Sequence, residues 1–247
     1  MNRRLAKITK VEFETAVLPI IPKNKRGFSS TVSSFEIFIC IIHKLKTGSQ
    51  WSELFIDLES FKPNFSWQLV YYYYRKWTQA GVFEKLFKAS LTKRAPVLDT
   101  EKLNLDGTHT LSKKSNQGVG YQHRKRGKTS NVLIMTDGKG IPLGIGDIQS
   151  GNHHDLYEIV PQFSSMVKTL HQCGIKTDGS ILNADKGFDS QSLRRACYRR
   201  KILPNVKENK RNRKKTNEVK NDFSMLKCIK KGMSMNDVLL GWIVSEP

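Results

Sequence analysis

Leu103-Asn104-Leu105-Asp106 and Ile181-Leu182-Asn183-Ala184-Asp185 decide the reading of this chain. Each is a short apolar run of strand character closed by a lone aspartate. A single aspartate at a strand end is most often a turn or helix-cap residue. Two of them on strands lying side by side are a different matter, because their carboxylates would converge. Converging carboxylates suit a hard octahedral cation, which takes their oxygens and keeps waters or phosphate oxygens in its other positions.

Charge supplies the context. Forty-two Lys and Arg against 22 Asp and Glu give +20 at pH 7, a surplus that favours a polyanionic partner over a small neutral substrate. Residues 113–128 carry Lys113, Lys114, Arg124, Lys125, Arg126 and Lys128 with no acid among them, and residues 199–215 carry nine basic residues against Glu208. One such run is as easily a solvated face as a binding site. Two runs flanking the aspartates point toward nucleic acid.

At 247 residues and 38% hydrophobic content the chain can bury a sizeable core. No apolar run approaches the roughly 18 residues of a membrane span, and Met1–Lys10 lacks the apolar region of a signal peptide. The expectation is a soluble, intracellular protein. Cys40, Cys173, Cys197 and Cys228 show no Cys-x-x-Cys pair, so reduced, mostly buried thiols are expected, without disulfides or zinc.

Residues 28–92 read as helical. From a Ser33/Ser34 cap, Phe35, Phe38, Ile39, Ile42 and Leu45 recur at helical spacing up to Gly48. Trp51, Leu54, Phe55 and Leu58 mark a short helix; Phe65, Leu69, Tyr72, Tyr73 and Trp77 a third; Val82, Phe83, Leu86, Phe87 and Leu91 a fourth. This could be a helix-turn-helix module with Ser66–Gln79 as recognition helix, or a plain helical bundle. Beyond Pro96 strand character takes over. Strands are expected over 102–110, 131–136 and 141–148, a helix over 155–170, a strand ending at Asp185, a helix capped by Asp189 or Ser190, and a strand over 202–206. Asp137-Gly138-Lys139-Gly140 is a hairpin signal that makes Asp137 a turn residue. Pro142 cannot donate to a ladder, so its strand lies at an edge or begins there. The order β-β-β-α-β-α-β fits an α/β ribonuclease H-like mixed sheet, in which the first and fourth strands are neighbours.

Several blocks then carry a resemblance. Leu105-Asp106-Gly107-Thr108-His109, Gly127-Lys128-Thr129, Thr136 through Gly144, Gly151-Asn152-His153-His154-Asp155 and Ala184-Asp185-Lys186-Gly187-Phe188-Asp189 resemble the DDE transposases of bacterial insertion sequences. Upstream, Lys46 to Trp51, Tyr74-Arg75-Lys76-Trp77 and Gly81-Val82-Phe83 resemble their N-terminal domain, so the likeness runs from about residue 30 to 215. It implies an N-terminal helical DNA-binding domain over 1–95, a catalytic core over 96–215 and a divergent tail over 216–247. It also implies that Asp106 and Asp185 are the catalytic acids and the first ligands of a Mg2+ (or Mn2+) site. Lys113, Lys114, Arg124, Lys125, Arg126, Lys128, Arg194, Arg195, Arg199 and Arg200 would contact phosphates of double-stranded DNA, both the element's terminal repeats and its target. A homodimer in the bacterial cytoplasm, associated with the nucleoid, is expected.

His109 reads as a strand residue held by hydrogen bonds, and Asp155 as a helix cap. The family's third acid, in a Tyr-x-x-Arg-x-x-x-Glu pattern, does not occur after Lys215, as a truncated or frameshifted gene would produce. Of Glu218, Asp222 and Asp237, Asp222 is the candidate third metal ligand, from the helical spacing of Val219, Phe223 and Leu226. The alternative function is a DNA-binding remnant that does not cut. A metal nuclease acting on RNA or hybrid duplexes shares the aspartates but leaves the helical N-terminal region unexplained.

Overall fold

The computed structural model describes residues 8–23, 32–54, 64–112 and 118–209, which fall into two compact units, Met1–Ser90 and Leu91–Pro247. Expectations for Phe55, Leu58, Lys113, Lys114, Asp222 and the tail 216–247 lie outside the described residues.

In the first unit a single turn, α1 (Lys10–Glu12), opens on a reciprocal cap. Thr9 accepts from the Glu12 amide at 3.2 Å while the Glu12 carboxylate accepts from the Thr9 amide at 2.8 Å. A π turn over Phe13–Val17 and a 3-10 turn over Leu18–Ile20 follow. Helix α2 (Ser34–Thr47) starts at its Ser33 cap and stops at Gly48, which sits at φ 68°, the left-handed position that glycine takes without steric cost. Trp51–Glu53 forms one 3-10 turn; α3 (Trp67–Gln79) and α4 (Val82–Arg94) complete the set. The core gathers Phe13, Val17, Phe38, Ile41, Leu54, Val70, Trp77 and Val82. Ring contacts run Phe13–Phe38 at 5.4 Å and Phe38–Trp77 at 6.4 Å.

The second unit is built on a mixed sheet. β1 (Lys102–Leu111) lies between β3 (Gly127–Thr136), antiparallel, and β6 (Ile181–Ala184), parallel; β7 (Leu203–Val206) adds in parallel beyond β6. Because β1 takes one side of β3 along its whole length, the other side is shared by three short strands. These are β2 (Gly120–Gln122), β4 (Pro142–Ile145) and β5 (Gln149–Ser150), all antiparallel to it. Taking β2, β5 and β4 as one broken edge strand, the order is edge-β3-β1-β6-β7, two antiparallel pairings followed by two parallel ones. That is the ribonuclease H-like sheet. Pro142 begins β4 and also lies on its edge.

The helix-covered and open faces of the sheet are set by alternation. α5 (Ile159–Gln172) presses Ile159, Phe163, Met166, Val167 and Leu170 inward and packs on β4, where an added Cβ at Gly144 would meet the Met166 side chain at 2.9 Å. Gly144 pairs with Met135, so the residues sharing that face (Leu103, Leu105, Leu133, Met135) are buried. α6 (Gln191–Tyr198), capped by Ser190 through the Leu193 amide, packs on α5 and β7. The opposite face carries Asn104, Asp106, Thr108, Val132 and Ile134, and ends in Ile145, which is 59% exposed.

Candidate metal and nucleic-acid site

Leu105 pairs with Ala184 across the parallel β1–β6 ladder, so the next residue of each strand is an aspartate. Asp106 and Asp185 therefore stand on adjacent strands and on the open face, just past the end of the β1–β6 ladder, separated by the ordinary interstrand spacing of about 4.8 Å at the backbone; Asp106 does not close its strand as expected, since β1 runs on to Leu111. Both are exposed. Each has one oxygen engaged locally: Asp106 Oδ1 accepts from the Gly107 amide at 2.8 Å, and Asp185 Oδ1 from the Gly187 amide at 2.7 Å, where it also caps the 3-10 turn Lys186–Phe188. Below them runs a polar ladder that holds the strands in register. Asn183 donates to Asn104 at 3.1 Å and Asn205 donates to Asn183 at 2.7 Å. Asparagine is depleted in strands, so three of them in strand runs were a sequence signal for this ladder.

The sheet's other face carries a second polar group behind Asp106. Asn131 donates to Asp155 Oδ1 at 2.7 Å, His109 Nε2 lies 3.9 Å from the same oxygen, and His109 Nδ1 is 3.4 Å from Thr129 Oγ1. The Asp155 carboxylate fills the space left by the missing side chain of Gly107, where a Cβ would meet Oδ1 at 2.5 Å. The expected cap role of Asp155 is thereby corrected: α5 begins only after Glu158, and Asp155 serves as an acceptor for β3. Gly151 approaches β3 as closely, its amide bonding to the Thr129 carbonyl at 2.9 Å. The Gly-Asn-x-His-Asp block is thus a strap over the sheet. His153 packs on Tyr157 with ring centroids 3.9 Å apart, and His154 Nδ1 accepts from the Leu156 amide. Among the described residues no group of three or more His, Cys, Asp or Glu could hold a metal ion.

Asp137 is a turn residue, as its hairpin setting suggested. Fully buried, it accepts from the Lys139 and Ile141 amides at 2.9 and 2.7 Å and from the Asp99 amide at 3.1 Å.

The basic residues divide. Arg124, Lys125, Arg126 and Lys128 are all exposed around the β2–β3 hairpin, with Lys128 paired to Tyr121 on the Asp106 face; Lys125 donates to the His109 carbonyl at 2.9 Å. Arg194, expected to face nucleic acid, is committed inside the fold. It donates twice to Asp189 Oδ1, at 2.9 and 3.2 Å, and once to the Val206 carbonyl at 2.8 Å. Arg200 bonds to the Ala196 carbonyl and lies over the Phe163 ring at 5.9 Å. Arg195 and Arg199 are exposed.

Residues 12–87 match the family described as "Putative transposase of IS4/5 family (DUF4096)". The match covers under a third of the chain and lies within the N-terminal unit, which is similar to that family. The motifs of the core resemble the same transposases. No curated protein matches the sequence. Among solved structures, the cryo-EM structure of a simian T-cell lymphotropic virus intasome in complex with PP2A regulatory subunit B56 gamma aligns at 17% identity and TM-score 0.26, over 57% of this chain and 46% of that one. The Mos1 transposase paired-end complex with left transposon end aligns at 10% identity and TM-score 0.32, over 81% of this chain and 68% of that one. The chain thus spans under half the length of the first. The ribonuclease H-like strand order rests on the pairing itself, and superpositions this loose add nothing to it. No described helix is long and apolar enough to cross a membrane.

Proposed function

We propose that this chain is an insertion-sequence transposase whose core cuts and joins DNA at the ends of its element. The observation that carries the reading is the β1–β6 register, which sets Asp106 beside Asp185 on the open face. The donor set fits Mg2+ or Mn2+: two exposed carboxylates, each with one oxygen tied to a backbone amide, and Mg2+ is commonly held by one or two carboxylates with phosphates completing the shell. Asp106 and Asp185 would hold the ion, which would supply polarisation of the scissile phosphate and a lowered pKa for the attacking water or 3′-hydroxyl; the Asn104–Asn183–Asn205 ladder keeps their strands aligned. Arg124, Lys125, Arg126, Lys128 and Arg199 bind phosphates and set the register of the duplex. In the N-terminal unit, α3 turns Val70 and Trp77 inward and presents Gln68, Tyr71, Tyr72, Arg75 and Gln79 outward without one acid, a surface suited to a DNA groove.

A second reading is a remnant that occupies the element's ends without cutting. Its support is the missing Tyr-x-x-Arg-x-x-x-Glu pattern, since a two-metal site lacking a ligand loses much of its transition-state stabilisation. The test is cleavage of a duplex carrying the inverted repeats that flank the coding sequence, with Mg2+ or Mn2+, alongside binding by anisotropy. Asp106→Asn and Asp185→Asn should each abolish cleavage and spare binding. Binding by the parent chain without cleavage selects the remnant; absence of both overturns the transposase reading.

A further inference from the structure

The row of groups that begins with Asp106 and Asp185 does not stop at β6. β7 pairs with β6 so that Asn183 faces Asn205 and Ala184 faces Val206; continued one residue past the last pair, that register brings Asp185 level with Lys207. Across the three parallel strands the same level thus carries Asp106, midway along β1, then Asp185 and Lys207, the residues that directly follow β6 and β7. The bonded asparagines two residues earlier on each strand fix that register, Asn183 to Asn104 at 3.1 Å and Asn205 to Asn183 at 2.7 Å. Lys207 is exposed. Parallel strands lie about 4.8 Å apart, so its four-carbon stem brings the ammonium within reach of any group bound at the two carboxylates.

We infer that Lys207 is a substrate-binding residue of this site and contacts a non-bridging oxygen of the phosphate lodged at Asp106 and Asp185. The inference rests on the transposase reading and deepens it. A phosphodiester approaching two carboxylates meets repulsion from both, and a fixed cation at the end of the row offsets it without competing for metal ligands. Lysine suits this place: a compact point charge with three donors, it binds phosphate without the planar fork geometry that arginine imposes. Lys207 stands apart from the hairpin cations, which lie at the far end of β3 and serve phosphates along the duplex.

The test is the salt dependence of binding to the inverted-repeat duplex by the full chain. Lys207→Ala should reduce the log-log slope by about 0.9, the loss of one phosphate contact, and Lys207→Arg should restore it. Lys201→Ala, an exposed lysine paired with Asp178 at 3.2 Å, should leave it unchanged. Replacing the phosphate at the element boundary with a neutral methylphosphonate should weaken the parent chain and Lys207→Arg but leave Lys207→Ala unaffected. An unchanged slope for Lys207→Ala overturns the inference, as does a loss that arginine fails to rescue or a methylphosphonate effect independent of Lys207. If Arg124→Ala/Lys125→Ala/Arg126→Ala flattens the slope while Lys207→Ala does not, DNA binding stands and Lys207 alone is wrong. If neither variant changes it, the transposase reading falls too.

Discussion

The carboxylate of Asp155 occupies the space beside Gly107 that a side chain would fill, and Gly107 directly follows Asp106 on β1. The glycine is thus a matter of contact, not of turn geometry. Gly107→Ala would set a Cβ 2.5 Å from Asp155 Oδ1 and displace the bond that Asn131 donates to it. Overpacking of this kind costs about 1–3 kcal/mol. Urea unfolding should show that loss, and it should shrink in an Asp155→Ala background, where the obstructing carboxylate is gone. Equal losses in both backgrounds would separate Gly107 from Asp155.

Asp137 closes the β3–β4 hairpin by accepting three backbone amides while fully buried. Asp137→Ala leaves those amides without their acceptor and should destabilise by about 2–4 kcal/mol. Asp137→Asn keeps the shape and one acceptor oxygen, so its unfolding midpoint should fall between the two. An alanine variant as stable as the parent would show that water replaces the carboxylate.

Two arginines five residues apart should behave oppositely. Arg194 is 13% exposed and bonds Asp189 and the Val206 carbonyl, tying α6 to β7; Arg194→Ala should lower stability by about 1–3 kcal/mol. Arg199 is exposed, so Arg199→Ala should leave stability within about 0.5 kcal/mol and flatten the salt slope of DNA binding by about 0.9. Denaturation and anisotropy on both variants check the pair, and an unaltered slope for Arg199→Ala removes it from the DNA surface.

Much of this fold was legible because each long element carries its own signal. Gly48 ends α2, Ser190 caps α6, and the Asp137–Gly140 turn and Pro142 place β4 at an edge. What the sequence could not state is pairing across distance: that Leu105 meets Ala184 is a tertiary fact, reached only through the ribonuclease H-like order. β2 and β5, of three and two residues, are too short to show a period. The start of α5 was misplaced at Asp155 because a cap is inferred locally, whereas that carboxylate is claimed by Asn131, 24 residues earlier. The opening turn was readable in principle, since Thr9 and Glu12 have the spacing of a capping box.

Burial pushes the Cys40 and Cys197 thiols up from 9.0 to about 12; at Cys197 the charges of Arg200 and Arg194 oppose this weakly. Both thiols stay protonated at pH 8, so iodoacetamide should leave them unmodified in the native chain and alkylate them in urea, as peptide mapping would show. The sign for stability follows. Unfolding frees each thiol to ionise near its ordinary pKa, so the native state keeps its full advantage below about 8.5 and loses it as pH climbs toward 12. Native-state alkylation of Cys197 at pH 8 would mean that α6 opens locally.

If α3 is the recognition helix proposed above, its folding and recognition roles should separate by substitution. Trp77 is 1% exposed and touches Phe38 and Tyr73; Trp77→Ala should destabilise the N-terminal unit by about 3–5 kcal/mol. Arg75 lies on the outward side with its guanidinium 6.0 Å from the Tyr71 ring, and Lys76 lies 5.8 Å from Tyr72. Such exposed contacts contribute at most about 1 kcal/mol, so Arg75→Ala should unfold close to the parent. On the proposed reading its effect falls on DNA binding. If Arg75 reads a base edge, the loss should be about 1–3 kcal/mol for the inverted-repeat duplex and small for a scrambled one. Equal weakening on both duplexes would make Arg75 a phosphate contact, and no weakening on either would return α3 to the role of a plain bundle helix.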